Sequence, residues 1–225
     1  MVNKSNLLLV EGGDDKHAII HFLMHYLSFN DVAKMVDIQD VGGKDNLWRK
    51  ETIIRSKFHQ NDLQRLGIII DSDELNPDGI SKNWVKLRDV MKRLGMNPPE
   101  IPNSDGVIFE SKSEYDTVVK VGIWVMPNNE TVGAIEDFLL ELIPHNDALI
   151  EQVKTCLEHV EPHTKTNHDA WLSKAQMRTW LAWQKEPGKI FGVATREYLF
   201  NKAALKGTFA KKFLDWIVQL FDFQR

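Results

Sequence analysis

Acidic side chains directly follow two apolar runs of this chain, and carboxylates in such positions are common ligands of hard metal ions. The run Leu-Leu-Leu-Val leads into Glu11, and the run Ile-Ile-Ile leads into Asp71 and Asp73. Short apolar runs of this kind predict buried strands. In open α/β sheets, ligands bind beyond the carboxyl ends of the strands. The pattern therefore predicts that Glu11, Asp71 and Asp73 hold Mg²⁺ or Mn²⁺ at one edge of a sheet.

The residues around these acids add two expectations. Alternate residues of an extended chain point to the same side, so Asp71 and Asp73 are expected to face one cation. Gly12 and Gly13, which follow Glu11, leave room for a phosphate to approach the backbone and the N-terminus of the next helix. Alternatively, acids after strands only begin polar loops and cap helices. For either motif alone the two interpretations are evenly supported, whereas both motifs together favour a metal site.

Elements that would position these acids alternate along the chain up to about residue 143. Apolar runs predict strands at 6–10, 35–41, 66–70, 107–109 and 121–126, and helical periodicity predicts helices from 14 onward, at 45–58, at 84–94 and from 131 onward. Beyond these, only helical patterns occur, and the last covers 208–221 with Thr208 as its N-cap. We expect an α/β domain over residues 1–143, with a mostly parallel sheet covered by helices on both faces. An all-helical region over 144–225 is expected to pack on it.

Composition limits the partners and the cellular compartment that are expected for this protein. The net charge of -4 argues against a protein that coats DNA by bulk electrostatics, although divalent ions reverse the local sign of an acidic cluster. No apolar run approaches the ~20 residues of a membrane helix, so no membrane is expected. The lone Cys156 and a start without the pattern of a signal peptide indicate a cytoplasmic protein.

The acids and two later segments resemble a known family. The stretches Leu-Val-Glu11-Gly and Ile-Ile-Asp71-Ser-Asp73 are similar to the Toprim signature of topoisomerases, bacterial primases, OLD-family nucleases and a ribosomal-RNA maturase. Ile-Trp-Val-Met-Pro at 123–127 and Gly-Ala-Ile-Glu-Asp-Phe at 133–138 resemble small stand-alone bacterial Toprim proteins, some of them tied to phage defence. The resemblance covers about the first 143 residues and is weaker in the helical region. It implies a Toprim-like, Rossmann-like fold.

The resemblance also implies roles for individual residues. Glu11 matches the family's acid/base or metal-bridging glutamate, and Asp71 and Asp73 match its metal-binding pair. Glu136, with Asp137, stands where nuclease-like members add an acid for a second metal, and such a pair of ions can activate water and stabilise the leaving oxygen. For Glu136 and Asp137, the alternative is that they are first-turn acids stabilised by the helix dipole.

Basic and aromatic residues are interleaved in the helical region. The cations are Lys165, Lys174, Arg178 and Lys185, and the aromatic residues are Trp171, Trp180 and Trp183. This pattern can bind phosphates and stack bases. The apolar neighbours of the tryptophans nevertheless favour core packing for all three. Lys174 or Arg178 is the candidate to steady a transition-state phosphate, as Lys and Arg clamps do.

Three histidines recur every four residues in the first predicted helix. His17, His21 and His25 therefore share one helix face, and this spacing can chelate zinc. No Cys or acid in the sequence completes such a site, and the face lies opposite the apolar stripe. We expect an exposed polar face with no metal.

Together these observations predict Mg²⁺- or Mn²⁺-dependent hydrolysis of phosphodiester bonds in DNA or RNA. The alternative from another class is a non-catalytic Toprim module that binds nucleic acid or a partner ATPase, and a homodimer is a further candidate assembly. A haloacid-dehalogenase-type phosphatase is disfavoured, because its Asp-x-Asp pair follows the first strand and leads to a Thr, whereas Glu74 follows the pair here. A topoisomerase is disfavoured because no second domain is expected to carry a nucleophilic tyrosine.

Overall fold

Five strands form one sheet in the computed structural model, which describes residues 5–49, 52–60, 62–160, 168–200, 205 and 209–224. The strands are β1 (Asn6–Val10), β2 (Asp37–Asp40), β3 (Arg65–Asp71), β4 (Val107–Lys112) and β5 (Val118–Met126). Their order across the sheet is β2-β1-β3-β5-β4. All neighbours are parallel except the edge strand β4, which is antiparallel to β5. The predicted α/β class with a mostly parallel sheet is confirmed.

Nine α-helices lie within the described residues. They are α1 (Gly13–Tyr26), α2 (Asp45–Arg49), α3 (Thr52–Phe58), α4 (Lys82–Arg93), α5 (Ile135–Leu140), α6 (Ala148–Val160), α7 (His168–Ala182), α8 (Phe191–Tyr198) and α9 (Phe209–Phe221). Among these described helices, none has both the length and the apolar character needed to cross a membrane.

Helices cover both faces of the sheet. Side chains alternate across a strand, so Leu8 and Val10 of β1 enter one core and Leu7 and Leu9 enter the other. The first core also contains buried residues of α1 and of α5 to α9, and the second contains buried residues of α2 to α4. This double coverage explains why the strands read as nearly continuous apolar runs.

The last helix, α9, lies on the centre of the sheet. Gly67 of β3 and Gly122 of β5 are paired in register. A Cβ atom at Gly122 would lie 2.6 Å from Leu220 of α9, so the absence of side chains there makes room for this helix. At the edge strand, the Trp216 indole N–H of α9 donates to the Val107 carbonyl at 3.1 Å. The helical region therefore shares a core with the sheet.

Several element boundaries differ from those expected. Strand β2 is shorter than the predicted 35–41. The helix expected from Thr131 begins at Ile135, because residues 131–134 form a turn in which Gly133 has a φ of +151° and its carbonyl accepts hydrogen bonds from the Ser72 and Asp73 amides. The single helix expected at 45–58 is described as α2 and α3, with residues 50 and 51 between them outside the described residues. Two further residues named in the predictions also lie outside the described residues, namely Lys165 and the predicted N-cap Thr208.

Candidate functional site

Two carboxylates meet where β1 and β3 end. The Oε1 atom of Glu11 accepts a hydrogen bond from the Asp71 amide at 2.9 Å. The Oδ1 atom of Asp71 in turn accepts from the Ile135 amide at the start of α5, at 3.2 Å. On the other side, the Asn83 side chain of α4 donates to the Asp71 carbonyl at 2.9 Å. The first strand, the third strand and two helices are therefore tied together at these acids, as the position of the two motifs predicted.

Asp73 does not follow the extended path that the sequence suggested. Strand β3 ends at Asp71, and Asp73 has a φ of +52°, in the left-handed region. The rule that alternate residues share a side does not apply across such a turn. The Oδ2 atom of Asp73 accepts from Asn83 Nδ2 at 2.7 Å and from the Lys44 ammonium. The two carboxylates therefore have different hydrogen-bond partners, although Asn83 also bonds the Asp71 carbonyl and the charge of Asp73 contributes to the raised pKa of Asp71. The extended conformation expected for 71–73 was wrong, and the expectation that both acids face one cation stays a prediction.

Three more acids surround this pair, and two of them cap helices. The Asp15 carboxylate accepts from the Gly12 amide at 2.7 Å at the start of α1. The Asp137 carboxylate accepts from the Ala134 amide at 2.8 Å at the start of α5. Glu136 is buried beside them, at 6% exposure. Asp137 thus caps α5, and its role in a metal site stays a prediction. The Gly12 amide, which was expected to be open to a phosphate, is bonded to the Asp15 carboxylate.

Around Gly13 there is open space, as the phosphate interpretation requires, since a Cβ atom built there meets nothing within 4 Å. Asp15 is the residue of this cluster that sequence reasoning missed. The sequence contained a signal for Asp15, which lies four residues after Glu11 in the first turn of α1. An acid in the first turn of a helix is, however, ordinarily explained by the helix dipole alone.

Burial shifts the pKa values of the two central acids upward. Burial raises the pKa of Glu11 to about 7, and the nearby Asp15 and Asp73 add to the rise, whereas the Asp71 amide and Lys44 oppose it. The pKa of Asp71 lies well above its ordinary value, first because the group is buried and then because Glu11 is close. Acids held in this way favour the protonated form unless positive charge is supplied.

The outer acids show the same imbalance. Burial raises the pKa of Asp15 to about 6, with a further contribution from the negative charge of Glu136. Burial also raises the pKa of Glu136, against the opposing charges of Lys174 and Arg178 on α7. Arg178 is itself engaged elsewhere, since it pairs with Asp14 at 2.6 Å. Within the described residues, carboxylates therefore outnumber the cations that face them.

A cavity of about 270 Å³ opens beside these acids. It is lined by Lys44, Asp73, Val132, Gly133, Ala134, Asp137, Trp171 and Lys174. A larger cavity of about 540 Å³ lies between α5, α6 and α7 and shares Val132 and Asp137 with the first. Lys174, which the sequence offered as a phosphate contact, thus lies in the same cavity as Asp73 and Asp137.

The donor atoms of this site suit a divalent cation, whereas their present spacing does not yet form a set of ligands. In the described ranges, no three His, Cys, Asp or Glu side chains converge closely enough to hold an ion. The donor atoms are nevertheless hard carboxylate oxygens, which Mg²⁺ prefers, and positive charge would relieve the repulsion that raises the pKa values of Glu11 and Asp71. At Asp73 the Lys44 ammonium already stands where a cation would compensate the charge.

The histidine face of α1 is only partly the exposed polar surface that the sequence predicted, since His17 is exposed whereas His21 and His25 are half-buried. Helix α8 packs on it so closely that a Cβ atom at Gly192 would lie 2.4 Å from the His17 Cβ. The Nδ1 atom of His21 is buried without a hydrogen-bond partner. Burial, and then the charge of Arg196, lower the pKa of His21. The prediction of exposure is confirmed for His17 and wrong for His21 and His25, because α8, which is distant in the sequence, packs against this side of α1.

The tryptophans of the helical region also divide differently from the expectation. Trp180 is 2% exposed, and its indole N–H donates to Asp147 at 3.2 Å, so core packing is confirmed for this residue. Trp171 is 56% exposed and Trp183 is 45% exposed. Core packing was the wrong prediction for these two, because Trp171 lies off the buried face of α7 that contains Met177 and Trp180, and Trp183 lies just beyond the end of that helix.

Comparison with known proteins supports a family assignment. A family model described as "Protein of unknown function (DUF3226)" matches residues 5–222, a range that includes the sheet, the helical region and all the acids of the site. No curated protein and no solved structure matches the chain. Because the family model matches almost the whole length, the chain belongs to the DUF3226 family of proteins of unknown function.

Proposed function

We propose that the protein is a metal-dependent nuclease with a Toprim-like site, which hydrolyses phosphodiester bonds in DNA or RNA. The observation that carries this proposal is the cluster of Glu11, Asp71 and Asp15, whose pKa values burial and mutual repulsion raise, beside a cavity that two lysines line. Strongly perturbed acids in a cleft are typical of functional sites rather than of structural ion pairs.

Glu11, Asp71 and Asp73 would hold the Mg²⁺ or Mn²⁺ ion, and Glu136 and Asp137 would contribute to a second one. Bound there, such ions supply a Lewis acid for the phosphate and lower the pKa of a water molecule. Lys44, now paired with Asp73, would exchange that carboxylate for a substrate phosphate oxygen, because both partners are anionic oxygen acceptors.

Two side chains have direct roles in this proposal. Glu11 has a pKa of about 7 in the metal-free protein. It would either bridge the metal ion, which would keep it ionised, or act without binding the ion as the general acid/base, for which a pKa near the working pH is suited. Lys174 lines the cavity beside Asp73 and Asp137, and its charge acts on Asp15 and Glu136. An ammonium in this position can stabilise the charge that develops on a transition-state phosphate.

One observation favours a second candidate function. The Asp73 carboxylate is held by both Lys44 and Asn83. An internal ammonium that replaces the metal would suit a non-catalytic module, which binds nucleic acid or a partner ATPase through the same surface.

A cleavage assay separates the two candidates. Purified protein is incubated with plasmid, single-stranded DNA and structured RNA, each with Mg²⁺, Mn²⁺ or EDTA, and Asp71→Asn serves as the site variant. We expect cleavage that needs the metal, that is lost in the variant, and that leaves no protein attached to the product, because water is the attacking group. Binding of nucleic acid without cleavage in either metal would favour the module.

A further inference from the structure

An exposed tryptophan lines the same cavity as Asp73 and Asp137. Trp171 lies near the start of α7 with 56% of its surface exposed, and it lines the 270 Å³ cavity together with Lys44, Lys174 and Asp73. Val132, 44% exposed, lines the cavity as well. A large apolar surface is thus combined with two ammonium groups at the mouth of the acidic site.

The position of Trp171 on its helix is part of the argument. Trp171, Lys174 and Arg178 are spaced three and four residues apart, so they share one helix face. Arg178 of this face pairs with Asp14 at the start of α1, beside the acid cluster. Trp183 is similarly exposed, at 45%, yet it lines neither of the two cavities described above. Exposure alone therefore does not distinguish Trp171, whereas its cavity does.

We propose that Trp171 stacks on an unpaired nucleobase, so that the site takes single-stranded nucleic acid rather than a duplex. This inference rests on the proposed nuclease function. Bases inside a duplex are covered on both faces by their neighbours, whereas a single strand offers a free face to an aromatic side chain. Lys174, and Lys44 once it exchanges the Asp73 carboxylate for a phosphate oxygen, provide the phosphate contacts that accompany such stacking.

The charge of the protein agrees with this substrate class. The chain carries a net charge of -4, which is a poor basis for gripping a duplex through many phosphates. With phosphate contacts limited to Lys44 and Lys174, the logarithm of the binding constant should fall with the logarithm of salt concentration with a slope of about −1.4. A duplex binder with six or more contacts would give a slope of about −5 or steeper.

Fluorescence anisotropy in EDTA tests the stacking without any chemistry. The probes are labelled single strands of DNA and of RNA of about 12 nucleotides, a DNA hairpin duplex, and a fully abasic strand. The proteins are the wild type, Trp171→Ala, Trp171→Phe and the matched control Trp183→Ala. We expect Trp171→Ala to weaken single-strand binding about tenfold, Trp171→Phe to keep most of the affinity, and Trp183→Ala to change nothing.

The abasic strand separates stacking from a structural role. It should bind wild type and Trp171→Ala equally, because no base is present to stack, whereas a folding defect would weaken both probes. Equal loss in the Trp171→Ala and Trp183→Ala variants, or a duplex bound as tightly as the single strand, would overturn the inference.

Cleavage of the same strands in Mn²⁺ then distinguishes this inference from the proposed function. Wild-type cleavage of single strands that Trp171→Ala reduces supports both. Cleavage that Trp171→Ala leaves unchanged on every substrate overturns the stacking and leaves the nuclease. Stacking in EDTA without cleavage in Mn²⁺ supports the binding site and overturns the nuclease.

Discussion

The two ends of strands β3 and β5 hold carboxylates under opposite electrostatic conditions. At the amino end, Asp222 pairs with Arg65 of β3 and with Lys120 of β5, and hydrogen bonds from these cations lower its pKa. At the carboxyl end, Asp71 is buried next to Glu11, and its pKa is raised. The same two strands therefore present one compensated acid and, at the other end, acids that lack enough cations.

The difference between these ends indicates a structural role for the amino end and a functional role for the carboxyl end. An exposed acid with two cationic partners is an ordinary surface ion pair, which contributes little to stability. Buried acids that repel each other lower the stability of the fold, and such arrangements are typical of functional sites. The contrast supports the proposal that the carboxyl end of the sheet binds a divalent cation.

Turnover should separate the two ends most strongly. Glu11→Gln keeps the shape of the side chain and removes its charge, so we expect cleavage to fall by about 10²-fold or more, the usual scale for a general acid/base. Asp222→Asn, at the opposite end, should leave cleavage unchanged. Initial rates on a labelled strand in Mn²⁺ provide the measurement. A Glu11→Gln variant that keeps most of its activity would remove this residue from the mechanism.

The pH dependence of stability should be the next largest effect. The pKa of Glu11 is about 7 in the folded protein and ordinarily 4.5, so folding favours the protonated form. This stabilisation is complete below about pH 4.5 and is lost as the pH rises to 7. In EDTA, the free energy of unfolding should therefore fall between pH 5 and pH 8, by up to about 3 kcal/mol from Glu11.

Urea unfolding of wild type and Glu11→Gln at the two pH values provides the measurement. The variant should lose less stability between them, and at pH 8 it should be the more stable of the two. Asp222→Asn is the control, because it should keep the wild-type slope over this range. The same slope in wild type and Glu11→Gln would show that Glu11 does not hold its proton in the fold.

The smallest effect is expected at the amino end. Asp222→Asn removes the exposed pairs with Arg65 and Lys120, so the free energy of unfolding at neutral pH should fall by about 0.5–1 kcal/mol, and by less in high salt. The pKa of Asp222 is lowered from 3.8. Its contribution is therefore complete above that pH and is lost as the pH falls through the folded value. A loss well above 1 kcal/mol, or a loss that high salt does not reduce, would contradict the assignment of Asp222 to an ordinary surface ion pair.

Local patterns predicted the sheet and the position of its acids. Strands β1, β3 and β5 are buried on both faces, so their apolar runs are unmistakable in the sequence, and the residues directly after β1 and at the end of β3 had to lie at the carboxyl edge. Glu11 and Asp71 could therefore be brought together from sequence alone.

Contacts between distant segments could not be predicted in this way. Helical periodicity found the apolar stripe of α1. The sequence near α1 carries no signal that α8 packs against its histidine face, where Gly192 lies next to His17. Asp73 has a left-handed conformation, and its amide donates a hydrogen bond to the carbonyl of Gly133, which is sixty residues away in the sequence. The exposure of Trp171 follows from which face of α7 meets the sheet domain, and the spacing of tryptophans does not determine that face.

Thermal unfolding with and without Mg²⁺ tests whether a divalent cation binds at the carboxyl end of the sheet. A cation that binds only the folded protein stabilises it by about 2.7 kcal/mol at a hundredfold excess over its Kd. We predict that Mg²⁺ raises the Tm of the wild type and of Asp222→Asn, and leaves the Tm of Asp71→Asn unchanged. In EDTA, Asp71→Asn should be at least as stable as the wild type, because burial disfavours the ionised form of Asp71 and Asn is neutral at every pH. Equal Tm shifts in the wild type and Asp71→Asn would contradict the account, because the cation would then bind elsewhere.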